Sequence, residues 1–425
     1  MRCVGVDPDT FLADYWSQQP LLARAGERPR HVGGEPNGFT DLLSPADVDE
    51  LVTDRGLRQP FFRIVRDGST LGGTTRSGVA GGRRITDLAD PDRLREHYAD
   101  GATLALQALH RLHPPLKQFC RELAIELGHP TQANAYITPP GSRGFAPHHD
   151  THDVFVLQVD GTKHWHVYAP VLPLPLPSHP SSDLAGPDGR LLPDGAEPVL
   201  SVVLGPGDAL YVPRGFPHAA ETNDDRSLHL TIGVLGVTRY DVVQDTLRLA
   251  ADEVELRRSL PVHGSATVEP AGDEAAELLL ALQDWVGRLS VDDIRPLLRR
   301  RMRSAVPVEP VGMLAADAAA RALSPDSCVR LRHGLVAHVE DGDPGRVELH
   351  LPDRTIDLPA STAAALKHLL SGHEVQVGEL ADEPRLDEVS GETPEGLDAD
   401  DCVVLVRRLL SEGALAPVPA SARRR

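Results

Sequence analysis

The stretch DVFVLQVDGTKHWHVY at 153–168 contains two short runs with the period of a β-strand, separated by an Asp-Gly turn. Similar runs, each bounded by Gly, Pro or Asp, occupy much of the chain between residues 132 and 235. They are QANAYIT at 132–138, SVVL at 201–204, DALYVP at 208–213 and SLHLTIGV at 227–234. Short strands at this spacing predict an antiparallel sandwich or barrel.

The flanks of this strand-rich centre have helical periodicity. Ser44 and Pro45 suit the N-cap and first turn of a helix over 44–55, whereas FFRIV at 61–65 predicts a strand. Leucines at helical spacing predict two helices within 91–127. Further helices are predicted at 9–19, 240–258, 272–288, 291–302, 361–370 and 401–412, with strands at 333–340 and 347–352. The residues therefore predict a β-rich centre, a helical connector and a small α/β module.

The composition disfavours several classes of protein. The 425 residues include 43 Lys+Arg and 62 Asp+Glu, and the net charge of −19 argues against a nucleic-acid footprint. No run approaches the roughly 18 apolar residues of a membrane span, and the start does not resemble a signal peptide. The four cysteines lie far apart and fit neither a zinc ribbon nor a disulfide scaffold. These features predict a cytoplasmic protein whose thiols fill the core.

A histidine cluster in PHHDTHD at 147–153 is the strongest chemical signal. His148 and Asp150 are two residues apart, so in extended chain both side chains point to one face. His218 follows a predicted strand and a Pro/Gly turn, from where it can complete a triad. Two imidazoles and one carboxylate leave three metal positions open, as in non-haem Fe(II) oxygenases.

Plainer interpretations of the same cluster exist. A polar run such as HHDTHD can be a solvated loop, and an H-x-D pair often arises by chance. A structural zinc site is a weaker alternative, because such sites are usually closed by four protein ligands. His149 and His152 are not expected to bind the metal. His149 points to the opposite face, and His152 has no Asp two residues further along the chain.

Two longer segments carry a family resemblance. ANAYITPPGSRGFAPHHDTHDVFVLQVDGTKHWHVY at 133–168, followed by GDALYVPRGFPHAAE at 207–221, resembles the JmjC/cupin ribosomal oxygenases, which are 2-oxoglutarate-dependent protein hydroxylases. The segments YWSQQPLLARAG at 15–26 and FFRIVRDG at 61–68 resemble the N-terminal part of that family. The resemblance implies an α+β fold with a double-stranded β-helix, the cupin/JmjC jelly roll.

The same resemblance implies an order of domains. It places a JmjC/cupin catalytic domain at 1–240, a helical dimerisation segment at 241–322 and a winged-helix-like module at 323–425. It also implies a homodimer. The acidic residues at 371–401 are expected to repel DNA from the module.

The resemblance further implies the roles of individual residues. His148, Asp150 and His218 would hold Fe(II), and Lys163 and Tyr136 would bind the distal carboxylate of 2-oxoglutarate, with Asn134 close by. Residue physics is compatible with this, because a Lys ammonium beside a Tyr hydroxyl is a good carboxylate receptor inside a barrel. Without the resemblance, Lys163 would be an exposed hairpin residue and Tyr136 a core aromatic.

The function predicted in this way is an Fe(II)- and 2-oxoglutarate-dependent dioxygenase. Its expected target is a protein side chain, a His or Arg of a ribosomal protein. A cupin-type ligand sensor without catalysis is an alternative, as is a cupin isomerase or a dioxygenase that does not use 2-oxoglutarate. A hydroxylase of small molecules or natural products also remains open.

Overall fold

The computed structural model describes residues 2–27, 38–66, 68–142, 145–186, 189–222, 224–260, 272–381 and 397–418. These residues form two compact units, Met1–Leu298 and Arg299–Arg425, whose boundary falls within the predicted helical segment. The division into a catalytic domain, a dimerisation segment and a winged-helix-like module stays a prediction.

The first unit is built on two antiparallel sheets. Its larger sheet has eight strands in the order β1-β11-β8-β13-β7-β6-β2-β3, its smaller sheet has the order β10-β9-β12, and β4 and β5 form a separate hairpin. The strands are β1 Leu21–Ala23, β2 Phe62–Arg66, β3 Ser69–Thr70, β4 Thr75–Ala80, β5 Arg83–Ala89, β6 Thr103–Leu106, β7 Thr131–Thr138, β8 Asp153–Gly161, β9 Lys163–Val167, β10 Leu200–Leu204, β11 Ala209–Val212, β12 His218–Glu221 and β13 Ser227–Val234.

Helices and short turns flank these strands. The helix over 44–55 was predicted closely, because Ser44 and Asp47 form a reciprocal capping box and Leu51 is buried. The elements are α1 Pro8–Thr10, a π-helical turn Phe11–Tyr15, α2 Pro45–Thr53, α3 Pro91–Ala99, α4 Leu109–Leu112, α5 Pro114–Leu127, α6 Ser181–Leu184, α7 Arg239–Leu249, 3₁₀ turns Ala250–Asp252 and Glu255–Arg257, α8 Gly272–Arg288 and α9 Val291–Ala305.

Strand β8 explains how the two sheets pack. Val154 and Val156 join Trp165 of the smaller sheet in one apolar cluster, whereas Phe155 and Leu157 pack into the main core on the opposite face. Both faces of β8 are therefore covered, which is why its sequence is an almost continuous apolar run. The two facing sheets make the double-stranded β-helix that the resemblance implied.

The prediction of two helices within 91–127 was wrong at Thr103–Leu106. This segment is the buried strand β6, which pairs with β2 on one side and β7 on the other. All four residues of this strand are buried, so its sequence shows no alternation of polar and apolar residues. The leucines matched a helical period by coincidence. The secondary structure of such a short apolar run depends on the strands that pair with it.

The second unit has its own core and two three-stranded sheets, ordered β18-β14-β19 and β15-β16-β17. Most of the acidic residues predicted to repel DNA lie at 382–396, outside the described residues. The elements are α10 Met313–Arg321, β14 Cys328–Leu331, β15 His338–Asp341, β16 Arg346–His350, β17 Thr355–Pro359, a 3₁₀ turn Ala360–Thr362, α11 Ala363–Leu369, β18 Val375–Gln376, a 3₁₀ turn Val377–Leu380, α12 Ala399–Ser411 and β19 Leu415–Pro417.

The composition led to two expectations, one about the cysteines and one about membrane-spanning helices. Cys3, Cys120 and Cys402 are buried, as expected of core fillers, whereas Cys328 is half-buried. Within the described ranges, no helix combines the length and the apolar character needed to cross a bilayer.

Candidate metal centre

The backbone brings the predicted triad together. His148 and Asp150 lie between β7 and β8, and His218 is the first residue of β12. The His148 N–H donates to the His218 carbonyl at 3.2 Å, and the His218 N–H donates to the His148 carbonyl at 2.8 Å. This isolated antiparallel bridge fixes the two imidazoles side by side, with ring centroids 4.6 Å apart.

The donor atoms of the three side chains point into one small volume. One ligand atom from each of His148, Asp150 and His218 lies within 4.8 Å of the other two, and Asp150 Oδ2 is 3.7 Å from His218 Nε2. His148 Nδ1 donates to the Ala146 carbonyl at 2.9 Å and His218 Nδ1 to the Phe216 carbonyl at 3.1 Å. A carbonyl only accepts, so each Nδ1 bears the hydrogen and each Nε2 keeps its lone pair for a metal.

Electrostatics favours the protonation states that a metal requires. Burial and the nearby imidazole of His148 lower the pKa of His218 to about 4. Burial opposes ionisation of Asp150, but the surrounding histidines outweigh it and lower the pKa of this carboxyl group. At neutral pH the site therefore offers a neutral imidazole at His218 and a carboxylate at Asp150, which are the forms that bind metal.

The turn before β12 aims His218. The Gly215 N–H donates to the Asp150 carbonyl at 3.0 Å, and Gly215 has φ +86°. A Cβ at this position would lie 2.7 Å from the Leu172 carbonyl oxygen, so glycine is required. Asp208, just before β11, accepts from Arg24 Nη1 at 2.7 Å, next to the end of β1. These contacts hold in place the segment that ends at His218.

The other two histidines of the cluster have different partners. His149 donates its backbone N–H to Ser181 Oγ at 2.7 Å, and its Nε2 bonds to the His179 carbonyl at 3.1 Å. His152 Nε2 lies 3.3 Å from the side-chain nitrogen of Gln132. Both residues therefore lie outside the triad, as expected of bystanders.

The triad opens into a cavity of about 340 Å³, large enough for a small ligand and part of a substrate. It lies inside the β-helix between the two sheets. Its walls are formed by Arg63, Gly68, Thr103, Tyr136, Phe145, His148, Asp150, Val154, Val156, Lys163, Trp165, His218, Ala219, Ala220, His229 and Thr231.

Lys163 is a buried cation on the wall of this cavity. Its side chain is almost inaccessible at 4% exposure, so it is not the exposed hairpin residue that its local sequence would suggest. Its Nζ donates to Thr138 Oγ1 at 3.0 Å, and Thr103 Oγ1 donates to the same oxygen at 3.1 Å. Among the described residues no carboxylate pairs with it, and burial alone lowers its pKa to about 7. A buried ammonium without an anion is costly, so the position is chemically suited to an anionic ligand.

Tyr136 and Asn134 lie on the same strand but have different surroundings. Tyr136 lines the cavity with its ring stacked on His229 at 5.2 Å, and burial followed by the Asp150 charge raises its pKa. Asn134 is not among the lining residues, and its Oδ1 accepts from the Ala108 N–H at 2.9 Å. That bond caps the start of α4, where Ala108 has φ +53°. A role for Asn134 beside a co-substrate stays a prediction, and this contact gives it no support.

Two titratable residues of the cavity, Arg63 and His229, were not predicted from the sequence. Arg63 stacks over the ring of Phe145 at 5.0 Å, and its Nε has no hydrogen-bond partner among the described residues. His229 is 2% exposed, and its Nδ1 likewise lacks such a partner. Strand alternation could have indicated both, because each lies between apolar residues that point to the other face.

Comparisons with known proteins agree with this architecture. Residues 108–242 match the model of the JmjC domain. Human ribosomal oxygenase 1 is 33% identical over 261 residues, covering 60% of this chain and 38% of the human protein. The Drosophila persimilis bifunctional lysine-specific demethylase and histidyl-hydroxylase NO66 is 30% identical over 292 residues, covering 66% of this chain and 39% of the relative. The chain thus spans about two fifths of the length of the curated relatives it matches.

A solved structure resembles the chain over nearly its whole length. The ribosomal oxygenase YcfD from Escherichia coli, in complex with cobalt and 2-oxoglutarate, superposes with a TM-score of 0.52 at 17% identity. The match covers 98% of this chain and 99% of YcfD, and at this identity it speaks for the fold alone. Together, these matches show a JmjC domain at 108–242 in a chain that is similar in sequence to ribosomal oxygenases.

Proposed function

We propose that the chain is an Fe(II)- and 2-oxoglutarate-dependent oxygenase. The observation that carries this proposal is that one cavity holds both a His-Asp-His triad and a buried lysine with no carboxylate partner in the described part of the chain. A metal site with open positions suits an O₂-activating iron, and a separate buried cation suits the far end of a dicarboxylate. An isomerase, or a dioxygenase that does not use 2-oxoglutarate, would leave Lys163 with no co-substrate to hold.

The three triad residues and the iron would have separate roles. His148, Asp150 and His218 would hold the iron, and their orientation is already set by backbone hydrogen bonds to the two imidazoles. Bound iron would supply O₂ activation coupled to oxidative decarboxylation of 2-oxoglutarate to succinate and CO₂, with hydroxylation of a C–H bond.

The binding of the co-substrate would depend on Lys163. Its ammonium would bind the distal carboxylate, Thr138 would hold the ammonium in place, and the Tyr136 hydroxyl would supply a further hydrogen bond. The stacked rings of Tyr136 and His229 and the edge of Trp165, 5.3 Å from His229, would keep water from this end of the cavity.

We further propose a protein substrate, a His or Arg side chain of a ribosomal protein, with His favoured. The support is the names of the relatives, which are ribosomal oxygenases and a histidyl-hydroxylase. We expect incubation with ribosomal proteins, Fe(II), 2-oxoglutarate and O₂ to add about 16 Da to one target side chain, located by tandem mass spectrometry. The His218→Ala variant is the control and should give no such product. Succinate formation without any protein oxidation would instead favour a small-molecule substrate.

A homodimer formed through α8 is proposed as well. Leu278, Leu279 and Leu280 of this helix are 49%, 56% and 65% exposed, an apolar run that one chain leaves uncovered. We expect light scattering after size exclusion to give twice the 45.8 kDa mass of one chain, and Leu280→Glu to reduce it to that of a monomer. Val79→Glu, at a 77% exposed position on the β4–β5 hairpin, is the matched control and should leave the mass unchanged. A monomeric wild type would contradict the proposal.

A cytoplasmic location and the absence of DNA binding are likewise proposed.

A further inference from the structure

The hairpin of β15 and β16 in the second unit has one apolar and one chemically active face. Val347 and Leu349 of β16 are buried in the core of the unit. The opposite face of the hairpin points outward. It carries His338 and Glu340 on β15 and Glu348 and His350 on β16. The strand register places His338 opposite His350 and Glu340 opposite Glu348.

The four outward side chains converge. His338 Nε2 lies 3.1 Å from Glu340 Oε1, and His350 Nε2 lies 3.6 Å from Glu340 Oε2 and 3.0 Å from Glu348 Oε2. The two imidazole rings are stacked, with centroids 4.9 Å apart. One donor atom from each of His338, Glu340 and His350 lies within 4.8 Å of the other two, and Glu348 extends this group through its 3.0 Å contact with His350 Nε2.

The orientation of His350 distinguishes this cluster from ordinary surface ion pairs. Thr355 Oγ1 lies 3.1 Å from His350 Nδ1 and fixes the ring with Nε2 towards the carboxylates. Despite the short distance to Glu348, His350 Nε2 is buried and has no hydrogen-bond partner among the described residues. Ligands of one tetrahedral ion at about 2.1 Å lie about 3.4 Å apart and point at the ion, not at each other. His338 Nε2 and Glu340 Oε1 form a hydrogen bond, whereas the short separation of His350 Nε2 from Glu348 Oε2 lacks hydrogen-bond geometry and matches that arrangement.

The charges of the cluster also favour a cation. Glu340 and Glu348 are directly opposite each other on neighbouring strands, where like charges destabilise the pairing. A divalent cation between them would neutralise both carboxylates and join the two strands.

We infer that His338, Glu340, Glu348 and His350 form a structural Zn²⁺ site that closes the β15–β16 hairpin. Imidazole nitrogen and carboxylate oxygen are ordinary zinc ligands, and four protein donors leave no open position for catalysis. The site is separate from the His148 triad in residues and in unit, and it does not depend on the function proposed for that triad.

Zinc counting on the full-length chain tests this inference. We would measure bound Zn²⁺ per chain after equilibrium dialysis for wild type, His338→Ala, His350→Ala and the double variant Glu340→Gln/Glu348→Gln. Each protein would also be examined in a His148→Ala/His218→Ala background, so that zinc bound by the triad does not enter the count. His368→Ala is the matched control, since His368 is an exposed histidine of the same unit. Circular dichroism would verify that each variant is folded.

The expected result is a loss of one zinc equivalent in all three hairpin variants, in both backgrounds, and no loss in His368→Ala. Zinc held by other side chains, including the group His164, His166 and Glu221, cancels in this difference. The near-isosteric glutamine variant keeps the test decisive if an alanine variant does not fold. Equal zinc content in wild type and the folded hairpin variants would overturn the inference and leave the cluster as a set of ion pairs.

Discussion

Replacing His218 by alanine is expected to reduce 2-oxoglutarate turnover at least about 100-fold, because loss of a metal ligand should exceed the 10- to 100-fold effect of losing a ligand's supporting hydrogen bond. The backbone bridge between His148 and His218 uses main-chain atoms, so the variant keeps the local fold. The substitution removes the imidazole, and with it the Nε2 lone pair that faces Asp150 and the Nδ1 hydrogen bond to the Phe216 carbonyl. Turnover is measured as succinate produced from 2-oxoglutarate under air with added Fe(II).

His152→Ala is the matched control for this substitution. His152 belongs to the same sequence cluster, yet its ring nitrogen lies beside Gln132 and not in the triad. We expect this variant to keep turnover within a few-fold of wild type. Wild-type turnover in a folded His218→Ala protein would show that the triad is not the metal centre.

Replacing Lys163 by methionine is expected to raise the KM for 2-oxoglutarate about 10- to 100-fold, the equivalent of one hydrogen bond to a charged group. Methionine keeps most of the volume of the buried side chain, so the cavity wall should persist. Thr138→Val is the companion variant, because it removes only the hydroxyl that accepts from Lys163 Nζ and leaves the charge. It should raise KM less than Lys163→Met. An unchanged KM in Lys163→Met would favour the alternatives that do not use 2-oxoglutarate.

The pH dependence of the same constant offers a second test of Lys163. Burial lowers the pKa of this amine to about 7, and only the ammonium form attracts a carboxylate. Below pH 7 the amine is already protonated, so KM should be flat. Above pH 7 binding must be accompanied by proton uptake, and KM should rise up to about tenfold per pH unit. This rise should disappear in Lys163→Met, and its persistence there would assign it to another group.

The metal triad could be predicted because its signal is local. His148 and Asp150 are two residues apart, and the turn that delivers His218 is marked by Pro213, Gly215 and Pro217 in the sequence. Their convergence requires only that two strand ends meet. The family resemblance added Lys163, whose own sequence context suggests an exposed hairpin.

Other features depend on contacts that sequence does not reveal. Thr103–Leu106 is a strand because β2 and β7 flank it, not because of its own periodicity. Arg63 and His229 reach the cavity from strands distant along the chain, and Asn134 is engaged by the Ala108 backbone. In each case a partner far away in sequence determines what the residue does.

Anaerobic titration with Fe(II) and then 2-oxoglutarate tests the central proposal most directly. A co-substrate that chelates iron held by His148, Asp150 and His218 should produce a visible metal-to-ligand charge-transfer band. We expect the band in wild type, its loss in His218→Ala and a weaker apparent affinity for 2-oxoglutarate in Lys163→Met. A folded, iron-bound wild type that gives no band on addition of 2-oxoglutarate would contradict the proposed oxygenase site.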